Sequence, residues 1–150
     1  MKTEFKWSHI MLADDDDDDC TLFTEALGSL HPGLKLSVLN NGQKLMEHLH
    51  QPPDPQADII FIDLNMPMKS GIECLQDIRS HLRLKNSVVI MLTTSNHQND
   101  IETSYGHGAN FFITKPSSFS DLCGLINKAL RSVAEHGVHQ PAREDFVLSA

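Results

Sequence analysis

Positive charge is scarce in this chain. Twelve lysines and arginines stand against twenty aspartates and glutamates, for a net charge of −8. That balance excludes a general nucleic-acid surface, which needs a basic face. Long apolar runs are missing too. None approaches the ~20 residues that span a bilayer, and the N-terminal "MKTEFKWSH" lacks the apolar core of a signal peptide. Cysteine is sparse: Cys20, Cys74 and Cys123 are an odd number without metal-like spacing. They are read as small packing residues in a reducing cytoplasm. Repeats and low-complexity segments are absent, with one exception.

The exception is a run of six aspartates, Asp14 to Asp19, directly after the apolar "HIMLA" and directly before a helical pattern. Two unit charges 4 Å apart repel by ~1 kcal/mol in water, and by more when partly buried. A run of like charge is usually a solvated loop or tail. Here apolar segments flank it closely, so a positive partner is expected nearby. The 150 residues with 40% apolar content suit one soluble domain with one core.

Hydrophobic patterning gives five alternating strand–helix pairs. "HIMLA" reads as a buried strand, followed by a helix carrying Leu22, Phe23, Ala26, Leu27 and Leu30 that stops at "HPG". "LKLSVLN" alternates like a half-buried strand, and Leu45, Met46 and Leu49 mark a short helix before the loop "QPPDPQ". "DIIFID" and "SVVIMLTT" are continuous apolar runs, as for strands covered on both faces. Between them lies a helix with Ile72, Leu75, Ile78 and Leu82, where Ser70 and Glu73 have capping-box spacing. Asn99 and Glu102 offer the same signal for the fourth helix. "NFFIT" is the fifth strand. Ser118 and Asp121 begin the last helix, with Phe119, Leu122, Leu125, Ile126, Ala129 and Val133 on its apolar side. Such alternation implies a parallel α/β sheet with helices on both faces.

Ligands of an open parallel sheet bind outside the carboxyl ends of its strands. The first strand ends at Asp14 and Asp15, the third at Asp63, the fourth at Thr93 and the fifth at Lys115. Clustered carboxylates suit a hard divalent cation, Mg²⁺ above all, with Mn²⁺ as the alternative. A cation, an ammonium and a hydroxyl around a carboxylate form a site for a phosphoryl group. The carboxylate can itself attack phosphorus and become an aspartyl phosphate.

The segments "IMLADDD", "DIIFIDLNMPMKSGIECL", "VVIMLTTS" and "ANFFITKP" resemble, in this order, the receiver domain of bacterial two-component response regulators. The resemblance covers residues 8–133. Residues 1–7 are then an N-terminal extension and residues 134–150 a C-terminal tail. It implies a flavodoxin-like five-stranded sheet in the order 2-1-3-4-5 with five helices. It further implies that Asp63 is the phosphoacceptor and that Asp14 and Asp15 are the acidic metal pair, Asp15 the more direct ligand. Asn65 would ligate the metal through its backbone carbonyl. Thr93 would be the switch hydroxyl and Lys115 the phosphoryl-binding lysine. The switch aromatic falls on Phe112, where many members carry tyrosine. The implied protein is a stand-alone, chemotaxis-regulator-like phosphoprotein of the cytoplasm, and not an enzyme beyond its own phosphorylation and dephosphorylation. Its partners would be a histidine kinase or histidine phosphotransfer protein and a downstream protein, with no nucleic acid and no membrane. It would act as a monomer or a phosphorylation-dependent homodimer, by protein contact or phosphorelay.

Two other readings compete. Asp14, Asp16, Asp18 and Glu25 fit positions one, three, five and twelve of a calcium loop, but Asp19 stands where the loop needs glycine. "DxDxD" after a strand also resembles haloacid-dehalogenase-type phosphatases, which need a later acidic motif; "TTSN" and "KPSS" carry no acid. Asp16 to Asp19 are otherwise read as solvated, helix-capping residues. Met66, Met68 and Met91 are read as packing or loop residues, and the nine histidines are assigned to no site. The tail patch from Phe146 to Leu148 is open between disorder, packing on the domain and contact with a partner.

Overall fold

The computed structural model describes residues 7–51 and 57–150. The expected loop "QPPDPQ" falls outside them apart from Gln51, as do the first six residues of the expected N-terminal extension. Strands β1 (His9–Ala13), β2 (Lys35–Leu39), β3 (Ile59–Ile62), β4 (Val88–Thr93) and β5 (Phe111–Thr114) alternate with helices. The helices are α1 (Asp17–Leu30), α2 (Gly42–Leu49), α3 (Gly71–Ser80), α4 (Gln98–Gly106) and α5 (Phe119–His136). Every strand pairing is parallel. The order of the first five strands is the expected 2-1-3-4-5.

Alternate residues of each strand enter separate cores, as the two-residue repeat of a strand requires. Ile10, Leu12, Phe61 and Ile90 pack with Phe23, Leu27, Ile126 and Leu130 of α1 and α5. Met11, Ala13, Ile60 and Ile62 pack with Leu45, Leu75 and Ile78 of α2 and α3. Both faces of the central strands are thereby covered, which explains their unbroken apolar sequences.

Among the described residues the sheet has six strands, one more than the sequence pattern suggested. The addition is β6 (Val147–Leu148), reached through a short 3₁₀ turn at Arg143–Asp145. Gly137 turns the chain back after α5 with φ of 64°, a left-handed backbone angle that glycine adopts without steric cost. Val147 and Leu148 then align with Phe112 and Ile113. Phe146 is completely buried beside them. The tail patch is therefore packed on the domain. Gln140 donates to the carbonyls of Tyr105 and Ala109, both at 2.8 Å, and Asn110 Nδ2 to the Val138 carbonyl at 3.2 Å.

Three local expectations need correction. The Asn99–Glu102 cap does not form. Helix α4 is capped at His97 without a side-chain bond, and Glu102 Oε1 is taken by Arg143 Nε of the tail at 2.6 Å. Leu82 lies beyond the end of α3 and is exposed, while Leu84 is buried in its place. Phe119, at the first turn of α5, is partly exposed rather than core. The caps at Ser70 with Glu73 and at Ser118 form as expected, the first as a complete capping box.

Candidate functional site

The first residue beyond three of the strands extends its hydrogen-bond ladder. Asp14 N donates to Leu39 O at 3.0 Å, Asp63 N to Ala13 O at 2.9 Å, and Lys115 N to Thr93 O at 2.7 Å. The backbone at these positions is thus tied to the neighbouring strand. Their side chains project from one edge in a fixed arrangement.

Lys115 Nζ lies 2.7 Å from Asp14 Oδ2 and 3.1 Å from Asp63 Oδ2. A third carboxylate joins it: Asp19 Oδ2, also at 2.7 Å. Asp14 and Asp63 are buried, whereas Asp15 is exposed. Oxygens of Asp14, Asp15 and Asp63 all lie within 4.8 Å of one another. Burial pushes the Asp14 carboxyl above the usual aspartate range, against the lowering effect of Lys115 and of the Asp16 N–H, which donates to Asp14 Oδ1 at 3.0 Å. Burial alone would depress the Lys115 ammonium, but Asp14, Asp19 and Asp63 outweigh it and hold its pKa above that of an ordinary lysine. Lys115 is therefore a cation throughout the neutral range.

Asn65 sits in the loop after β3, and its N–H points to Asp63 Oδ1 at 3.4 Å. Gly71 closes that loop. Its N–H donates to Leu64 O at 2.9 Å, and any Cβ there would overlap the Asp63 carbonyl oxygen. Thr93 is fully buried at the end of β4, with Oγ1 accepting from Ser95 N at 3.4 Å. Phe112 is not at this edge. It is fully buried within β5, three residues before Lys115, with its ring 6.2 Å from that of Phe146.

The structure thus brings Asp14, Asp15, Asp63, Asn65 and Lys115 together, with Thr93 on the adjoining strand. It leaves Phe112 in the α4-side core. Sequence reasoning missed Asp19, which it treated with Asp16 to Asp18 as solvated. The signal available was its position. Asp16 is the N-cap of α1 and accepts from Asp19 N at 2.9 Å, so Asp19 falls in the third helical position and turns toward the sheet. The calcium-loop template does not form a loop, because α1 runs through it from Asp17 and carries Glu25 exposed on its surface.

An all-oxygen donor set of three carboxylates fits a hard divalent cation such as Mg²⁺ or Mn²⁺ better than a soft one. The carboxylate edge at the C-terminal ends of the strands is the ligand position of doubly wound sheets.

Comparison with known proteins agrees with this geometry. Residues 10–127 match the family model described as the response regulator receiver domain. The chain is 32% identical over 121 residues to the response regulator Rcp1 of Synechocystis sp., a match covering 78% of this chain and 82% of that protein. The crystal structure of the phosphorylated cyanobacterial phytochrome response regulator RcpA superposes with a TM-score of 0.76 at 31% identity, covering 91% of this chain and 99% of the other. The Mn²⁺-bound form of Rcp1 gives 0.72 at 30% identity, covering 90% and 99%. The family match does not rest on a short motif, since it runs from β1 into α5 and includes Asp14, Asp63, Thr93 and Lys115. The chain belongs to the response regulator receiver domain family.

Proposed function

We infer that Asp63 accepts a phosphoryl group from the phosphohistidine of a histidine kinase or a histidine phosphotransfer protein. The observation that carries this is the Lys115 ammonium set 3.1 Å from Asp63 Oδ2, beside three carboxylates within 4.8 Å of one another. In the transfer, a lone pair of an Asp63 carboxylate oxygen attacks phosphorus. The P–N bond breaks, and its electron pair returns to the imidazole of the donor. Lys115 offers N–H groups to the phosphoryl oxygens as charge shifts onto them. Asp14, Asp15, Asp63 and the Asn65 carbonyl would hold Mg²⁺, or Mn²⁺ as in the Rcp1 relative. The bound cation supplies charge neutralisation and orientation of the phosphoryl oxygens. The same residues promote the domain's own phosphorylation by small donors and its dephosphorylation, while the protein remains a signalling domain rather than an enzyme acting on other substrates.

Phosphorylation adds ~1.5–2 negative charges in fixed geometry. Thr93 Oγ1, on the adjoining strand, is the hydroxyl placed to answer it by drawing in the loop after β4. Output then passes through the face of α4, β5 and α5, by contact with a downstream protein, by homodimerisation of the phosphorylated form, or by relay to another histidine. Phe112 has no hydroxyl and already lies buried beneath Phe146, so its part is played by repacking against the tail. Among the described residues no helix is long and apolar enough to cross a membrane. A cytoplasmic place beside the kinase follows from this reading.

The test is phosphorylation by acetyl phosphate with and without Mg²⁺, in the parent and in Asp15→Ala. The parent should be labelled only with Mg²⁺, and the variant should lose Mg²⁺ affinity and labelling together. Labelling that is indifferent to both Mg²⁺ and Asp15 contradicts the proposed metal site.

A further inference from the structure

We propose that Asp19 is a positioning residue for phosphoryl transfer, holding the Lys115 ammonium in its resting place and competing with the phosphoryl group for it. The inference rests on the function proposed above. Acidic residues are common in the first turn of a helix, where the backbone dipole favours them, and Asp17 and Asp18 need no other explanation. Asp19 does. Of Asp15 to Asp19 it alone is half-buried, and its Oδ2 lies 2.7 Å from Lys115 Nζ.

The local hydrogen bonds leave it free for this. In a capping box the acid at the third helical position would reach back to the N-cap N–H. Here the N-cap N–H, that of Asp16, is already bound by Asp14 Oδ1. Asp19 therefore turns inward to the lysine.

An ammonium has three N–H donors. At Lys115 all three face carboxylates, those of Asp14, Asp19 and Asp63. Lys115, Asp14 and Asp19 also line a cavity of about 40 Å³, with Leu12, Phe23 and Leu92 in its wall. Once Asp63 carries the phosphoryl group and Asp14 faces the cation, Asp19 is the counter-ion left to hold the ammonium back. It favours the resting geometry and raises the threshold for the phosphorylated one.

The probe is beryllofluoride at saturating Mg²⁺, with the full chain. Asp19→Asn should bind it about fivefold more tightly, the size of one partly exposed charge contact. Asp19→Glu should return affinity toward the parent. Asp18→Asn, which removes an equal charge one residue away without touching Lys115, should leave affinity unchanged. The Lys115 ¹⁵Nζ resonance should move in Asp19→Asn and be restored in Asp19→Glu, and circular dichroism should report an intact fold because Asp16 still caps α1. The proposal is overturned if Asp19→Asn binds no more tightly than the parent, or if Asp18→Asn gains as much. A parent that binds beryllofluoride with no change in Asp19→Asn removes only the role of Asp19. A parent that does not bind it at all removes the phosphoacceptor reading and this one together.

Discussion

The carbonyl oxygen of Phe146 accepts a hydrogen bond from the N–H of Phe112 at 3.1 Å, and the two rings lie 6.2 Å apart. One contact thus closes the edge of β5 with the chain's own tail. Tyr105 adds its ring edge to Phe146 at 5.0 Å and its hydroxyl to the Pro141 carbonyl at 2.8 Å. Arg143 spans the rings of Tyr105 and Phe146 while pairing with Glu102.

The first expected outcome concerns this anchor. Phe146→Ala empties a fully buried site and should cost about 3–5 kcal/mol of folding stability. Urea unfolding should show a lower midpoint with a similar slope. A change below about 0.5 kcal/mol, the level of an ordinary surface substitution, would show that the tail is not docked in solution.

Met68, in the loop between Asp63 and α3, has φ of 71° and an exposed side chain. A left-handed angle costs an L-residue ~1–2 kcal/mol, part of which glycine returns as extra unfolded-state entropy. Met68→Gly should therefore stabilise the fold by about 0.5–1 kcal/mol. A destabilised variant would contradict the left-handed turn.

Gly71 leaves no room for a methyl group, since an added Cβ would overlap the Asp63 carbonyl and lie 2.9 Å from Leu64 Cα. Gly71→Ala should displace the end of β3, destabilise by about 1–3 kcal/mol, and reduce phosphorylation more than stability alone explains. Parental labelling in a folded Gly71→Ala protein would show that the loop tolerates the shift.

The Cys20 thiol is pushed up to about 11, by burial first and by the charges of Asp14 and Asp17 with it. At pH 8 only ~1 thiol in 10³ is then ionised, and the thiolate is the reactive form. Alkylation of Cys20 by iodoacetamide should be far slower in the folded protein than in urea, and should rise about tenfold per pH unit up to that value. Equal rates at pH 8 in the two states would contradict the half-buried, acid-flanked placement.

The residues of the carboxylate edge were legible because a parallel sheet sends every strand's carboxyl end to one side. Reading where each apolar run stops was enough to collect Asp14, Asp63, Thr93 and Lys115 there. The tail was not legible. Phe146 to Leu148 is too short to show a period, and its burial depends on Phe112 and Tyr105, far away in sequence. The same holds for Glu102, whose spacing matched a helix cap but whose carboxylate is claimed by Arg143. Asp19 was hidden by its neighbours, since within six identical residues only the helix start decides which one faces the lysine.

The central claim is that Asp63 is the residue phosphorylated, and residue-level mapping tests it most directly. The chain is phosphorylated with acetyl phosphate and Mg²⁺, the acyl phosphate is reduced with borohydride, and the modified position is read by peptide mass spectrometry, in the parent and in Asp63→Asn. The account predicts modification at Asp63 in the parent and none in the variant, because an amide of nearly the same shape is no nucleophile for phosphorus. Undiminished modification of the Asp63→Asn protein, or modification of the parent at a different aspartate, would contradict it.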